Sequence, residues 1–198
     1  MIKAFYDKVA EFSKTFDVRQ YEMLSFVPSE VLRFRVKLIE EEEREYLAAK
    51  SSLERLDALC DLLYVSLGAA YVTKTPIKDY KALGMLSLDF TDEVSDVIDE
   101  LLAAIPCQKR LPMFFDNLNK KLLRAAAIQQ FLIEPAFNEV HRSNMAKRWT
   151  QAEALASPTG WIMEKVPNSV LYVDKDATGK IRKPPSWTPP NLEEYLPI

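Results

Sequence analysis

Apolar residues recur along this chain at helical rather than strand spacing. Ile2, Phe5, Val9, Phe12 and Phe16 stand three or four apart, which predicts an amphipathic helix over 2–16. After a loop through Phe26, Val27 and Pro28, Ser29 is the expected N-cap of a second helix reaching about Lys50. Ser51 and Ser52 supply a turn and a cap for a third helix ending at Val72, and so short a connection predicts an antiparallel hairpin. Pro76 and the polar residues after it close that pair. A fourth helix is expected from Thr91 to just before Pro106, with Val94, Val97, Ile98, Leu101, Leu102 and Ile105 on its apolar face. Helical periodicity resumes at Pro112 and runs to about Ile133. Pro135 must break or kink it, as a first-turn residue of a new helix over 136–149.

Only four glycines occur in 198 residues, so tight hairpins are few, which disfavours an all-β fold and leaves helices to carry the core. The fold class is therefore all-α, a helical bundle built on the antiparallel hairpin. Seven of the twelve prolines follow residue 157, which marks an extended proline-rich C-terminal tail over 156–198, packed on a domain formed by 1–155. A small hairpin is expected around the DKDATGK stretch of that tail.

With 48% of residues apolar the chain can bury a full core and is not disordered. Its formal net charge is -3 and Lys and Arg form no block, so the footprint of a nucleic-acid polymer is absent. Cys60 and Cys107 stand in no zinc or disulfide spacing, and a single histidine, His141, excludes any site built on two imidazoles. The N-terminal residues alternate charge with apolar side chains, unlike a signal peptide or a membrane span. A cytoplasmic location with no membrane partner is expected.

The most unusual composition is Glu40-Glu41-Glu42-Glu43-Arg44-Glu45. Winding the helix at about 100° per residue puts Arg33, Lys37, Glu40 and Arg44 on one side, bordered by Glu41. Glu42 and Glu45 fall instead in the arc of Phe34, Leu38, Ile39 and Tyr46, where a carboxylate is desolvated unless something compensates it. Glu43 falls in an apolar arc too. The next helix is apolar or small nearly all round from Leu56 to Val72, the signature of burial, yet carries Asp57 and Asp61 one turn apart. Buried carboxylates at close quarters cannot all stay ionised without a cation. If the hairpin sets Glu42 and Glu45 opposite Asp57 and Asp61, four oxygen donors suit a hard divalent ion, Mg²⁺ or Mn²⁺. Pairing of the acids by Arg33, Arg35 or a distant lysine is the competing arrangement. A di-iron bundle would need Glu-x-x-His motifs, and there are none. A second polar constellation, His141, Asn144 and Lys147, recurs every third residue and has the donors to hold phosphate oxygens or a base edge.

The acidic run and the DALCDLLYVSLGAA stretch resemble the MazG-like all-α nucleoside triphosphate pyrophosphohydrolases, the superfamily of phosphoribosyl-ATP pyrophosphohydrolase. Glu41-Glu42-Glu43-Arg44-Glu45 matches its EExxE element and Asp61 the final residue of its ExxD element. Ala58 stands where the family has glutamate, with Asp57 beside it as a natural substitute. The stretch from Glu139 to Lys147, EVHRSNMAK, and the later GKIRKPP are similar to one branch of the superfamily. The resemblance covers roughly 1–75 and 135–190 and leaves 80–134 as a helical insertion.

The resemblance implies metal-dependent hydrolysis of a ribo- or deoxyribonucleoside triphosphate to the monophosphate and pyrophosphate. It implies Glu42, Glu45, Asp57 and Asp61 as ligands of Mg²⁺ or Mn²⁺, with Glu41, Glu42, Glu45 and Asp61 as the catalytic set. Glu41 would be a further ligand or the base that orients water. Asn144 and Lys147, with His141 and Arg142, would hold the substrate, and the assembly would be a homodimer or homotetramer. Ala58 keeps a second reading open, a catalytically impaired nucleotide-binding or structural helical oligomer.

Overall fold

The computed structural model describes residues 1–23, 26–77, 99–100, 103, 110–157, 162–166, 169–175 and 180–197. Its helices are α1 (Ile2–Thr15), α2 (Ser29–Ala48), α3 (Ser52–Val72), α4 (Leu111–Ile128), α5 (Ile133–Met145) and α6 (Gln151–Ala156). Strands β1 (Ile162–Lys165) and β2 (Tyr172–Lys175) form an antiparallel pair with Ile162 opposite Lys175, and a 3₁₀ turn spans Glu193–Tyr195. The architecture is the expected all-α bundle.

α3 is the axis of the bundle. Fourteen of its residues are buried, from Leu56 to Val72, because α1, α2, α4 and α5 all pack against it. α2 and α3 form the antiparallel hairpin, and Ser51 caps α3 as expected, its hydroxyl accepting from the Glu54 amide at 3.1 Å. An aromatic column ties the other helices in. Phe5 of α1 stacks on Phe137 of α5 at 4.2 Å, Tyr64 of α3 lies 5.5 Å from Phe137, and Phe12 meets Tyr64 edge-on at 5.5 Å.

The scarcity of glycine shows at the helix ends. α1, α3 and α4 each close on a left-handed residue that is not glycine: Asp17 (φ 52°), Lys74 (φ 52°) and Gln130 (φ 56°). In each case the amide of that residue and the next one turn back, for example Lys74 to the Tyr71 carbonyl at 3.1 Å and Thr75 to the Ala70 carbonyl at 2.9 Å. That motif stops α4 at Ile128, short of the expected Ile133. Pro135 then sits in the first turn of α5 as predicted.

Three other boundaries differ from expectation. Pro28, not Ser29, is the N-cap of α2, since the Pro28 carbonyl already accepts from Val31 and Leu32 at 3.1 Å and no side chain caps the helix. α5 ends at Met145, and a separate helix α6 starts after Thr150, which forms a reciprocal capping box with Glu153. The hairpin β1–β2 lies upstream of DKDATGK, although an isolated bridge from Lys175 to Ile181 turns the chain back at that stretch too. The helix expected from Thr91 to Pro106 lies outside the described residues save for Asp99, Glu100 and Ala103, which are helical.

The C-terminal segment lies along α5 through specific bonds. Trp187 Nε1 donates to the Ser143 carbonyl at 2.9 Å, Ser143 Oγ to the Thr188 carbonyl at 3.0 Å, and the Asn191 amide to Glu139 at 3.0 Å. Phe16, Val166 and Val173 make a small second core, packed by Met145, Leu171 and Ile181, which sets Lys180 and Ile181 beside the α2–α3 hairpin. Among the described residues no helix is long and apolar enough to cross a membrane.

Leu67 is fully buried on the axis of the bundle, so Leu67→Ala is expected to lower unfolding free energy by about 2–5 kcal/mol. Ser51→Ala should lower it by about 0.5–2 kcal/mol. Urea denaturation of the three proteins checks both values; a Leu67→Ala loss no larger than that of Ser51→Ala would mean that α3 is not the axis.

Candidate active site

Antiparallel pairing of α2 and α3 sets positions opposite one another in register. Glu42 and Asp61 lie at one level, Leu38 and Val65 at the next, Arg35 and Gly68 at the next, and all six line one cavity of about 180 Å³. Phe12 and Tyr64 provide its aromatic wall, while Asn144, Lys147 and Lys180 close it from α5, the following turn and the C-terminal segment.

The carboxylates gather at one end. Burial, then Asp61, Glu45 and Glu41, push the Glu42 carboxyl up to about 8, against the opposing pull of Lys180. Burial and Asp57 push Asp61 up to about 7, with Glu45 adding to the rise and Lys147 and Lys183 opposing it. Asp57 is raised by burial and Glu45, and its Oδ1 is buried with no hydrogen-bond partner. Glu42, Glu45, Asp57 and Asp61 thus form one field of mutually repelling charge, as the helical geometry required. Glu45 departs from expectation in being exposed. It lies in the last turn of α2, on the side that stays in contact with solvent.

Lysines face this field from outside the hairpin. Lys147 follows α5, its Nζ donating to Asn144 Oδ1 at 2.6 Å, and its burial disfavours the ammonium while Asp61 favours it. Lys180 Nζ donates to Glu41 Oε1 at 2.8 Å, so Glu41 is held by the C-terminal segment. Lys183 lies over the Trp187 ring, 3.7 Å from its centroid.

Of the residues expected on the substrate side, Asn144 and Lys147 line the cavity and the other two do not. His141 is buried beneath it, its Nδ1 hydrogen-bonded with the Tyr64 hydroxyl at 3.0 Å and its Nε2 3.4 Å from Glu11. It fixes the ring that forms the cavity wall. Arg142 is exposed, clamped by two 2.8 Å bonds to Glu139 and reaching Thr188 and the Pro189 carbonyl. It anchors the C-terminal segment. Lys180 and Arg35 also line the cavity; in sequence Lys180 stands out only within the GKIRKPP stretch and Arg35 only as a possible partner for the acids. Phe12 and Phe34 read as ordinary core positions.

A cavity with carboxylates and two lysines at one end and apolar walls toward the other suits an anionic ligand carrying a flat, weakly polar group. Whether the acids suit a divalent cation rests on their chemistry. Four hard oxygen donors repel one another, two of them are pushed far above the carboxylate range, and one buried oxygen has no partner, which a cation among them would remedy. As the side chains stand, no three histidine, cysteine, aspartate or glutamate groups among the described residues converge closely enough to hold a metal. Ala58, at the family's glutamate position, is buried in the core, and its neighbour Asp57 is the residue that joins the acidic field.

Residues 9–82 match the phosphoribosyl-ATP pyrophosphohydrolase family. The match takes in α2, α3 and every carboxylate of the cavity, whereas Asn144, Lys147 and Lys180 lie beyond it. No curated protein and no solved structure matches the chain. Residues 9–82, with the acidic hairpin at their centre, are a phosphoribosyl-ATP pyrophosphohydrolase domain of the MazG-like superfamily, a family of pyrophosphohydrolases acting on nucleotide phosphoanhydrides.

Proposed function

We propose that the protein hydrolyses a nucleoside triphosphate to the monophosphate and pyrophosphate with Mg²⁺ or Mn²⁺ held by Glu42, Glu45, Asp57 and Asp61. The observation that carries this reading is the meeting of Glu42 and Asp61, both driven toward protonation by burial and by neighbouring carboxylates, in one cavity with Lys147 and Lys180. A structural ion-pair network would place each acid against a base and hold it below its ordinary value. Here the acids outnumber and outweigh the lysines.

When bound, the divalent cation supplies neutralisation of the triphosphate, polarisation of the phosphorus under attack and a more acidic water. The chain's own groups do the rest. Lys147, tethered to Asn144, and Lys180 meet the phosphate oxygens and offset charge that builds up on the leaving pyrophosphate. Glu41, held in place by Lys180, orients the attacking water and takes its proton. Phe12, Phe34 and Tyr64 exclude bulk water from the base end, and His141 fixes the Tyr64 ring. The same reading includes the homodimer or homotetramer and the cytoplasmic setting, with no nucleic-acid polymer as partner.

Asp61→Asn keeps the shape of the side chain and removes its charge. Pyrophosphate release from a panel of ribo- and deoxyribonucleoside triphosphates, with Mg²⁺ and with EDTA as control, is expected to fall by about two orders of magnitude or more in this variant. Unchanged turnover would remove Asp61 from the site.

Stability should also depend on pH in a definite direction. Glu42 and Asp61 bind their protons more tightly folded than unfolded, so each destabilises the fold once the proton must leave. In the metal-free protein, stability is therefore greatest at low pH within the window and declines as pH rises from about 4 toward the folded values near 8 and 7. Thermal denaturation in EDTA should give a lower Tm at pH 8 than at pH 5, and Mg²⁺ should restore it at pH 8. Glu42→Gln should flatten the dependence. A Tm that rises between pH 5 and pH 8 through these groups would contradict the assignment.

A further inference from the structure

The cavity has a charged group at its other end that the proposed chemistry leaves unused. Arg35 stands seven residues before Glu42 on α2, about 10 Å along the helix axis, level with Gly68 of α3. A Cβ added at Gly68 would lie 4.0 Å from an Arg35 guanidinium nitrogen, an ordinary contact distance, so the guanidinium lies alongside α3 at this level. Arg35 Nε is buried and has no hydrogen-bond partner among the described residues. The ring of Phe34 lies 5.6 Å from the guanidinium carbon, and among the described residues no carboxylate pairs with Arg35. Burial alone brings it down to about 10, so it is a cation at neutral pH.

Arg35 as a whole is half-buried, but a guanidinium N–H held out of water without an acceptor is costly, and a folded protein keeps one when something else supplies acceptors. The phosphates are not that partner if the carboxylate end holds them, because Leu38, Val65, Phe12 and Tyr64 separate the two ends. The backbone rise of about 10 Å from Glu42 to Arg35 is on the order of the length of a nucleoside, and the residues lining the cavity between them are apolar and aromatic, as a base face requires.

Resting on the hydrolase reading above, we propose that Arg35 reads the edge of the nucleobase and selects a base with two adjacent acceptors. A guanidinium has donors only, arranged as a planar fork. Guanine offers O6 and N7 to such a fork, and cytosine offers O2 and N3. Adenine places an amino donor beside N7, and uracil and thymine flank each carbonyl with N3–H or carbon, so each leaves one arm of the fork unmet. Arg35 is thus a specificity-determining residue, and the substrate class is a guanine or cytosine nucleotide.

The test measures equilibrium binding of GMP, CMP, AMP and UMP by calorimetry in EDTA, alongside kcat/KM for the corresponding triphosphates with Mg²⁺. It uses the wild-type protein, Arg35→Met and Arg35→Lys. Wild type is expected to favour guanine or cytosine over adenine and uracil by about ten- to a hundredfold in both measurements, and the two arms tell guanine from cytosine. Arg35→Met, which fills the same space without donors, should lose that factor for the favoured base only, with Tm unchanged or raised because a buried cation is gone. Arg35→Lys should recover little of the ranking, since a single ammonium does not form the fork. Preference for adenine or uracil, or the same ranking in Arg35→Met, would overturn the proposal. Ranked monophosphate binding without turnover of any triphosphate would uphold the role of Arg35 while sinking the hydrolase reading, and turnover with no ranking would do the reverse.

Discussion

The structure depends on one conflict: a helix buried nearly all round carries two aspartates, and the helix beside it adds two glutamates. Transferring carboxylates out of water is costly, and packing them together raises the cost. Evolution of a plain core would replace them with leucine. The two aspartates stand on α3, which among the described residues is packed by α1, α2, α4 and α5 alike. Rigid placement is what a site there gains, because the backbone under Asp57 and Asp61 cannot yield without unpacking α1, α4 and α5.

The antiparallel hairpin also gives the cavity its polarity. With α2 and α3 in register, moving one helical turn along the pair steps the lining from Glu42 and Asp61 to Leu38 and Val65, and then to Arg35 and Gly68. Negative charge at one end, apolar side chains in the middle and a cation at the other follow from two helix faces alone. The segments outside the hairpin finish the work. α1 brings Phe12, the turn after α5 brings Lys147, and the C-terminal segment, pinned along α5 by Trp187 and Ser143, brings Lys180 to Glu41.

Much of the bundle was legible because its signals are local. The stripe of α1, the Ser51 cap and the all-round apolarity of α3 each depend on neighbours a few residues away. Boundaries that rest on backbone geometry were less so: Gln130 adopts a left-handed conformation that its side chain does not announce, and Pro28 caps α2 with its carbonyl alone. The acidic field could be foreseen from helical phase, since Glu42 had to turn inward. Glu45 lies one turn on from Glu42 yet is exposed, because phase does not say how far the neighbouring elements cover a face. His141 and Asn144 stand on one face of α5 in sequence, but only Asn144 reaches the cavity, and only the packing of Tyr64 separates their roles. Arg35 is also within the sequence's set of possible partners for the acids, yet among the described residues it forms no ion pair with them, a matter of side-chain packing that helical phase does not reveal.

The central claim is that the carboxylate end of the hairpin is a cation site. Diffraction from crystals grown with Mn²⁺, collected at the manganese absorption edge, addresses it without relying on turnover. The account predicts an anomalous peak bounded by oxygens of Glu42 and Asp61, with Asp57 and Glu45 drawn toward it. A structure with no peak there, in which Lys147 and Lys183 pair Asp61 and Asp57 directly, would contradict it.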